Sequence, residues 1–195
     1  GDMGLSEGAV VRNRPSSVIR MVGSQIYQNP NNSVVRLVNE GLIVLEDVAP
    51  LTPFSRFLSV TLESLPGSEI RVLDDYLDLA AGPNADALPP GMTLTGDGVV
   101  RFVGLPMRGT FSPGTEANPI GSLGPRTQDT FVLAPEAITI LDVDADGVSD
   151  QITNIDTFAG ARITFGGTLR VRPRPGYTPT IGDAWTIVVN GVSGT

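Results

Sequence analysis

The residues best placed to do chemistry lie in Asp142-Val-Asp-Ala-Asp-Gly-Val-Ser-Asp150. Carboxylates stand at the first, third, fifth and ninth positions, and Gly147 stands at the sixth. That pattern matches the front of a calcium-binding loop, in which oxygen ligands at alternate positions converge because the glycine lets the chain turn sharply. Asp142, Asp144, Asp146 and Asp150 are therefore the candidate metal ligands, and Ca2+ is the candidate cofactor. Thr153 occupies the twelfth position, where an EF-hand loop carries a bidentate Glu, and no flanking helices are predicted. A ligand from another loop, such as Asp156, would have to complete the site. The competing reading is a solvated acidic turn between two strands, at 138–141 and 152–155.

Asp74-Asp75-Tyr-Leu-Asp78 is a second group of carboxylates. General acid–base work needs one carboxyl raised by burial or by a like charge. Neighbours on a strand point to opposite faces, so Asp74 and Asp75 are poorly placed to share a proton. An exposed polar loop is expected here. Glycosidase chemistry needs only two carboxylates, and a lyase-like site would need calcium and an arginine base. Arg170, Arg172 and Arg174 form a basic strip that reads as the wet face of a strand, paired with nearby Asp residues at small gain.

The inventory excludes most other mechanisms. The chain has 195 residues with no Cys, no His and no Lys, and all thirteen basic residues are Arg. Without Cys it has neither a disulfide framework nor a thiolate. Without His, nothing titrates near neutrality unperturbed. Without Lys, there is no Schiff-base or P-loop chemistry. The net charge of −8 argues against nucleic acid and anionic membrane as partners. No apolar run of transmembrane length occurs, so membrane insertion is not expected. Gly1 reads as the remnant of a tag, and the chain as a piece of a longer protein.

The elements that must position these groups read as strands. Twenty-three Gly and sixteen Pro residues suit many short strands joined by turns. The best runs are Val18-Ile-Arg-Met-Val22, Val34-Val-Arg-Leu-Val38, Leu42-Ile-Val-Leu45, Phe57-Leu-Ser-Val-Thr-Leu62, Glu69-Ile-Arg-Val-Leu73, Val99-Val-Arg-Phe-Val103, Thr130-Phe-Val-Leu133 and Ala137-Ile-Thr-Ile-Leu141. Further strands are expected around Leu169 and Val171, which alternate with arginines, and over Trp185-Thr-Ile-Val-Val189. No window carries a capped helical stripe. An apolar-Arg-apolar-apolar core recurs with its arginine at Arg20, Arg36, Arg71 and Arg101. Irregular repeats of roughly 15–35 residues fit a parallel β-helix. A β-sandwich would favour two-residue hairpins, and few hairpin-like sequences occur. They are Gly96-Asp97-Gly98 and Asn190-Gly191.

From Gly109-Thr-Phe-Ser-Pro-Gly114 onward, the chain resembles the C-terminal part of large secreted bacterial surface proteins of the autotransporter-adhesin type. The residues that carry the likeness are Ser112-Pro-Gly114, Asp150-Gln-Ile152, Gly166-Gly-Thr-Leu-Arg-Val171 and Gly176-Tyr-Thr-Pro-Thr-Ile-Gly-Asp-Ala-Trp-Thr-Ile187. The match spans roughly residues 99–189. The resemblance implies a right-handed β-helix, export and a non-catalytic surface role. Asn39-Glu-Gly-Leu-Ile43 is compatible with the corner of a coil. Gly166-Gly167 permits close backbone approach before a strand. Trp185, the only Trp, reads as a core or capping plug over the last coil, since an open stack end would otherwise recruit another chain.

The expected fold is all-β: a right-handed parallel β-helix or β-solenoid with C-terminal capping strands, with an antiparallel β-sandwich as the alternative. Residues 1–105 would form irregular coils, 106–129 a loop-rich seam, and 130–195 the last coils and cap of one continuous domain. The expected function is a non-enzymatic extracellular or cell-surface segment, structural or adhesive, with extracellular glycans or other surface proteins as partners. A secreted carbohydrate-active enzyme or carbohydrate-binding module is the alternative.

Overall fold

Aliphatic and β-branched runs interrupted by Gly, Pro and Asn form strands too short to stand alone, so each must pair with a neighbour. The computed structural model describes residues 3–6, 8–28, 35–46, 55–58, 60–79, 86–102, 104–125, 130–154 and 162–190. In chain order the strands are β1 Met3–Leu5, β2 Val10–Asn13, β3 Val18–Val22, β4 Gln25–Gln28, β5 Arg36–Asn39, β6 Leu42–Glu46, β7 Ser55–Leu58, β8 Thr61–Ser64 and β9 Glu69–Asp78. They continue with β10 Thr93–Arg101, β11 Thr110–Pro113, β12 Leu123–Pro125, β13 Thr130–Val132, β14 Ile138–Val143, β15 Ile152–Asn154, β16 Arg162–Thr164, β17 Thr168–Pro173 and β18 Val188–Asn190. One turn of 3-10 helix, Ala145–Gly147, is the only helical element among the described residues. None of their helices is long and apolar enough to cross a membrane.

Every strand ladder among the described residues is parallel. The first ladder runs β3–β6–β9–β10–β11–β14–β17. The second runs β1–β4–β7–β9–β10–β12, then passes through a bridge between Ser122 and Gln151 to β15 and β18. The third holds β2–β5–β8 and, farther along, β13–β16. Backbone bonds from Ser64 N to Asp86 O and from Arg108 N to Leu88 O, with a Met107–Leu133 bridge, join its two parts. The chain visits the three ladders in a fixed order, from β2–β3–β4 through to β16–β17–β18. The step between aligned residues ranges from 17 (Thr93 to Thr110) to 36 (Ile152 to Val188). Antiparallel contact is confined to two isolated bridges, Gly96–Gly114 and Val143–Ser149. The fold is thus all-β with parallel sheets, and no antiparallel ladder of the sandwich type occurs among the described residues.

The core is aliphatic, as the composition implies. Ile43, Ile70, Leu94 and Phe111 are aligned along the first ladder and fully buried. Such a side chain contributes about 1.5–3 kcal/mol on burial. Phe131 anchors the later part, with ring centroids 5.6 Å from Phe102 and 5.5 Å from Phe111. At one corner Asn13, Asn39 and Ser64 are in register. Asn13 Nδ2 donates to Asn39 Oδ1 at 2.8 Å, and Asn39 is fully buried. Residues 39–41 therefore do form a corner, and Gly41 is required there: a Cβ would lie 2.5 Å from the carbonyl oxygens of Arg14 and Ser17.

Several sequence expectations are corrected. Gly96-Asp97-Gly98 is no hairpin but the middle of β10, where the strand passes from the first ladder to the second and its register against β9 shifts. Asp74 and Asp75 lie inside β9 rather than in a loop. The 57–62 run is split into β7 and β8. Trp185 precedes the last strand, which is only Val188–Asn190. The 106–129 stretch carries β11 and β12, both paired with β10. The recurring arginine motif does not mark one position of the stack. Arg20 and Arg71 share a column through Val44, whereas Arg36 lies on the third ladder and Arg101 on the second.

Candidate functional site

The acidic segment follows β14, whose alternation buries Thr139, Leu141 and Val143. After Val143 the chain folds back on itself. Asp144 N donates to Val148 O at 2.7 Å, and Asp150 N donates to Asp142 O at 2.8 Å. Asp144 caps the short 3-10 turn by accepting from Ala145 N at 2.8 Å. Asp146 (φ 58°) and Gly147 (φ 76°) make the reversal in the left-handed region, which Asp and Gly tolerate best.

The four predicted metal ligands take different roles. Asp142 is 7% exposed and receives a two-pronged contact from Arg172, Nε to Oδ1 at 2.5 Å and Nη2 to Oδ2 at 2.9 Å. Such bidentate pairs are the strong form of the carboxylate–arginine bond. Asp150 is 1% exposed and accepts from Gly121 N at 2.8 Å and Asp142 N at 2.7 Å. Asp144 also accepts from Arg174 Nη1 at 3.1 Å. Asp146 is exposed at the tip of the turn. Only Asp142 and Asp150 are brought into contact. Thr153 bonds to Ser122 through its hydroxyl, and Asp156 lies outside the described residues. Among the described residues no group of three or more His, Cys, Asp or Glu is placed to hold a metal ion.

Burial dominates the electrostatics of Asp150. It pushes the carboxyl up to about 6, against the two backbone N–H groups and Arg172, which favour the charged form, while the Asp142 charge adds to the rise. A raised carboxyl in a cleft is a candidate general acid. This one is enclosed, and its oxygens are engaged by backbone donors, so it pins the 114–121 excursion to β14 rather than facing solvent. The Arg172 guanidinium is held above its usual value, first by its bond to Asp142.

A second excursion, residues 174–187, packs beside the acidic turn. Arg174 N donates to Val143 O, and Trp185 Nε1 donates to Asp144 O at 2.9 Å. Tyr177 meets Trp185 edge-on, with centroids 6.2 Å apart. Asp183 gathers the turn, accepting from Thr180 N at 2.7 Å and from the Tyr177 hydroxyl, which is thereby pushed up to about 12. The conspicuous Gly-Tyr-x-Pro-x-x-Gly-Asp-x-Trp sequence therefore builds an exposed loop tied to the acidic turn. Trp185 is half-buried against that turn.

Next to the Asp142–Arg172 pair lies a cleft of about 300 Å3, whose lining includes Thr95, Ser112, Thr115, Glu116, Asp142 and Arg172. It offers hydroxyls, two carboxylates and a guanidinium to a polar ligand. Sequence reasoning anticipated Arg–Asp pairing on β17 but not this cleft. Ser112 lies on β11 and is set beside Thr95 by the parallel register of β10 and β11, and Thr115 and Glu116 follow that strand without a chemical motif of their own. No family model, curated protein or solved structure matches the chain.

Proposed function

We propose that the chain is a non-enzymatic structural or adhesive segment of an extracellular or cell-surface protein, wound as a right-handed parallel β-helix. The fixed order in which the chain visits three parallel ladders supports the winding. Parallel crossovers are right-handed because a right-twisted strand packs back on its sheet only in that sense. The observation that carries the non-enzymatic reading is the use made of the acidic turn. Asp142, Asp144 and Asp150 are all engaged in bonds that hold neighbouring excursions together. The likeness of residues 99–189 to autotransporter-type adhesins points the same way.

The polar cleft favours a second reading, a carbohydrate-binding site, because sugars present hydroxyls that Thr95, Ser112, Thr115, Glu116 and Asp142 can meet. One experiment separates the readings. The protein is screened on a glycan array, and array hits and common polysaccharides are assayed for turnover. Binding to a host-type glycan or protein surface without turnover is the expected result. Hydrolysis or elimination that disappears in Glu116→Gln or Asp142→Asn would overturn the non-enzymatic reading. Binding lost in Thr115→Val with no turnover places the sugar in the cleft.

A further inference from the structure

The excursion that walls the polar cleft is fixed at both ends. Thr95, Ser112 and Asp142 line the cleft from β10, β11 and β14, three successive layers of the first ladder, and Thr115, Glu116 and Pro119 line it from the segment after β11. Where that segment leaves β11, Gly114 N donates to Gly96 O at 2.7 Å and Gly96 N donates to Gly114 O at 3.0 Å. Where it ends, Gly121 N donates to the buried Asp150 carboxyl at 2.8 Å. Between these points Thr115 N donates to Asn118 O at 2.7 Å, and Asn118 N donates to Thr115 Oγ1 at 3.0 Å. A wall tied down in this way loses little freedom when a ligand enters.

The charges of the lining do not balance. Arg172 is engaged with Asp142 through two of its nitrogens. Glu116 is exposed and forms no ion pair among the described residues, so the lining carries one negative charge in excess. Its hydrogen-bonding capacity is lopsided in the same sense. The Thr95 hydroxyl gives its proton to Glu69 Oε1 at 2.7 Å, which leaves it only lone pairs, and the two carboxylates only accept. Thr115 accepts from Asn118 N and keeps its proton to donate. No aromatic side chain among the described residues lines the cleft, so a neutral sugar ring finds no stacking face there. The complementary ligand is polyhydroxylated, rich in donors and cationic.

Resting on the carbohydrate reading of this cleft, we propose that its ligand is an amino sugar with an unsubstituted ammonium group, seated with the ammonium on Glu116 and ring hydroxyls on Thr95, Thr115 and Asp142. An ammonium brings three donors and no acceptor. An anionic sugar would instead face Glu116 and Asp142 with the guanidinium already taken. The test is isothermal calorimetry of the intact protein at about pH 5.5, where exposed carboxylates are ionised, with a glucosamine trisaccharide, its N-acetylated counterpart and a glucose trisaccharide. The glucosamine trisaccharide should bind at least about fivefold more tightly than either neutral one, since a charge-assisted bond is roughly twice as strong as a neutral one. Glu116→Gln should weaken only the glucosamine trisaccharide and bring the three affinities together. Glu136→Gln, which removes an exposed acid outside the lining, should leave the preference intact. Equal binding of all three sugars, a preference that survives Glu116→Gln, or one that Glu136→Gln also removes would overturn the amino-sugar assignment while a carbohydrate site still stands. Absence of binding by all three overturns the assignment as well, and the carbohydrate reading falls with it only when the glycan array is silent too.

Discussion

Replacing Asp150 by Asn tests the account of the acidic turn most directly. Burial raises the Asp150 carboxyl from 3.8 to about 6. The folded chain therefore holds this proton more tightly than the unfolded chain. Stability from this group is fully present below about pH 4 and is lost as pH rises through about 6. The shift of roughly two units, at 1.36 kcal/mol each, corresponds to about 3 kcal/mol between those limits. Asparagine removes the titration. Its amide oxygen can accept from Gly121 N or from Asp142 N, leaving the other donor facing an amide NH2, at a pH-independent cost of about 1–3 kcal/mol. Urea unfolding of both proteins, followed by circular dichroism from about pH 4 to about pH 7, gives the stability difference at each pH. Titrations common to both chains cancel in that difference. Asp150→Asn should be most destabilising at about pH 4, and its deficit should shrink by about 3 kcal/mol by about pH 7. A difference that stays flat within about 0.5 kcal/mol, or grows toward neutrality, would refute the reasoning.

Two further outcomes are expected. At Gly96 (φ +125°) an added Cβ would lie 1.8 Å from the Val72 carbonyl oxygen, whereas at Gly67 (φ +87°) it would meet nothing within 4 Å. Gly96→Ala should therefore lower stability by several kcal/mol and Gly67→Ala by about 1–2 kcal/mol in the same urea assay, and equal losses would remove the close-approach argument. Because Asp142, Asp144 and Asp150 already have protein partners, neither calcium nor a chelator should move the melting temperature; a ligand at 100 times its Kd would add about 2.7 kcal/mol, so a rise of several degrees in calcium that Asp146→Ala abolishes would restore a calcium site.

Particular residues show where the sequence is readable and where it is not. Val18–Val22 is bounded as its alternation indicates, because one face is wet and the other packs on Ile43 and Leu45. Asn39 and Gly41 announce a corner, since a stacked amide and a missing Cβ are local needs. The Arg172–Asp142 pair was foreshadowed by arginines alternating with apolar residues, although which acid each would meet depended on register. The acidic turn supports two readings for a physical reason. The spacing that converges oxygens on a cation also suits a chain that reverses on itself, and the choice depends on whether Arg172, Arg174 and the amide of Gly121 arrive first.

The all-β character with short aliphatic strands, and the absence of Cys, His and Lys chemistry, were determined by the chain's own residues, because strand propensity, turn punctuation and side-chain inventory are local properties. Tertiary structure alone decided that Gly96 would bend one strand between two ladders and that Asp150 would be buried beneath a distant excursion. Each of these depends on residues 17 to 36 positions away being set one layer apart, and parallel register is fixed by the whole stack rather than by any one strand.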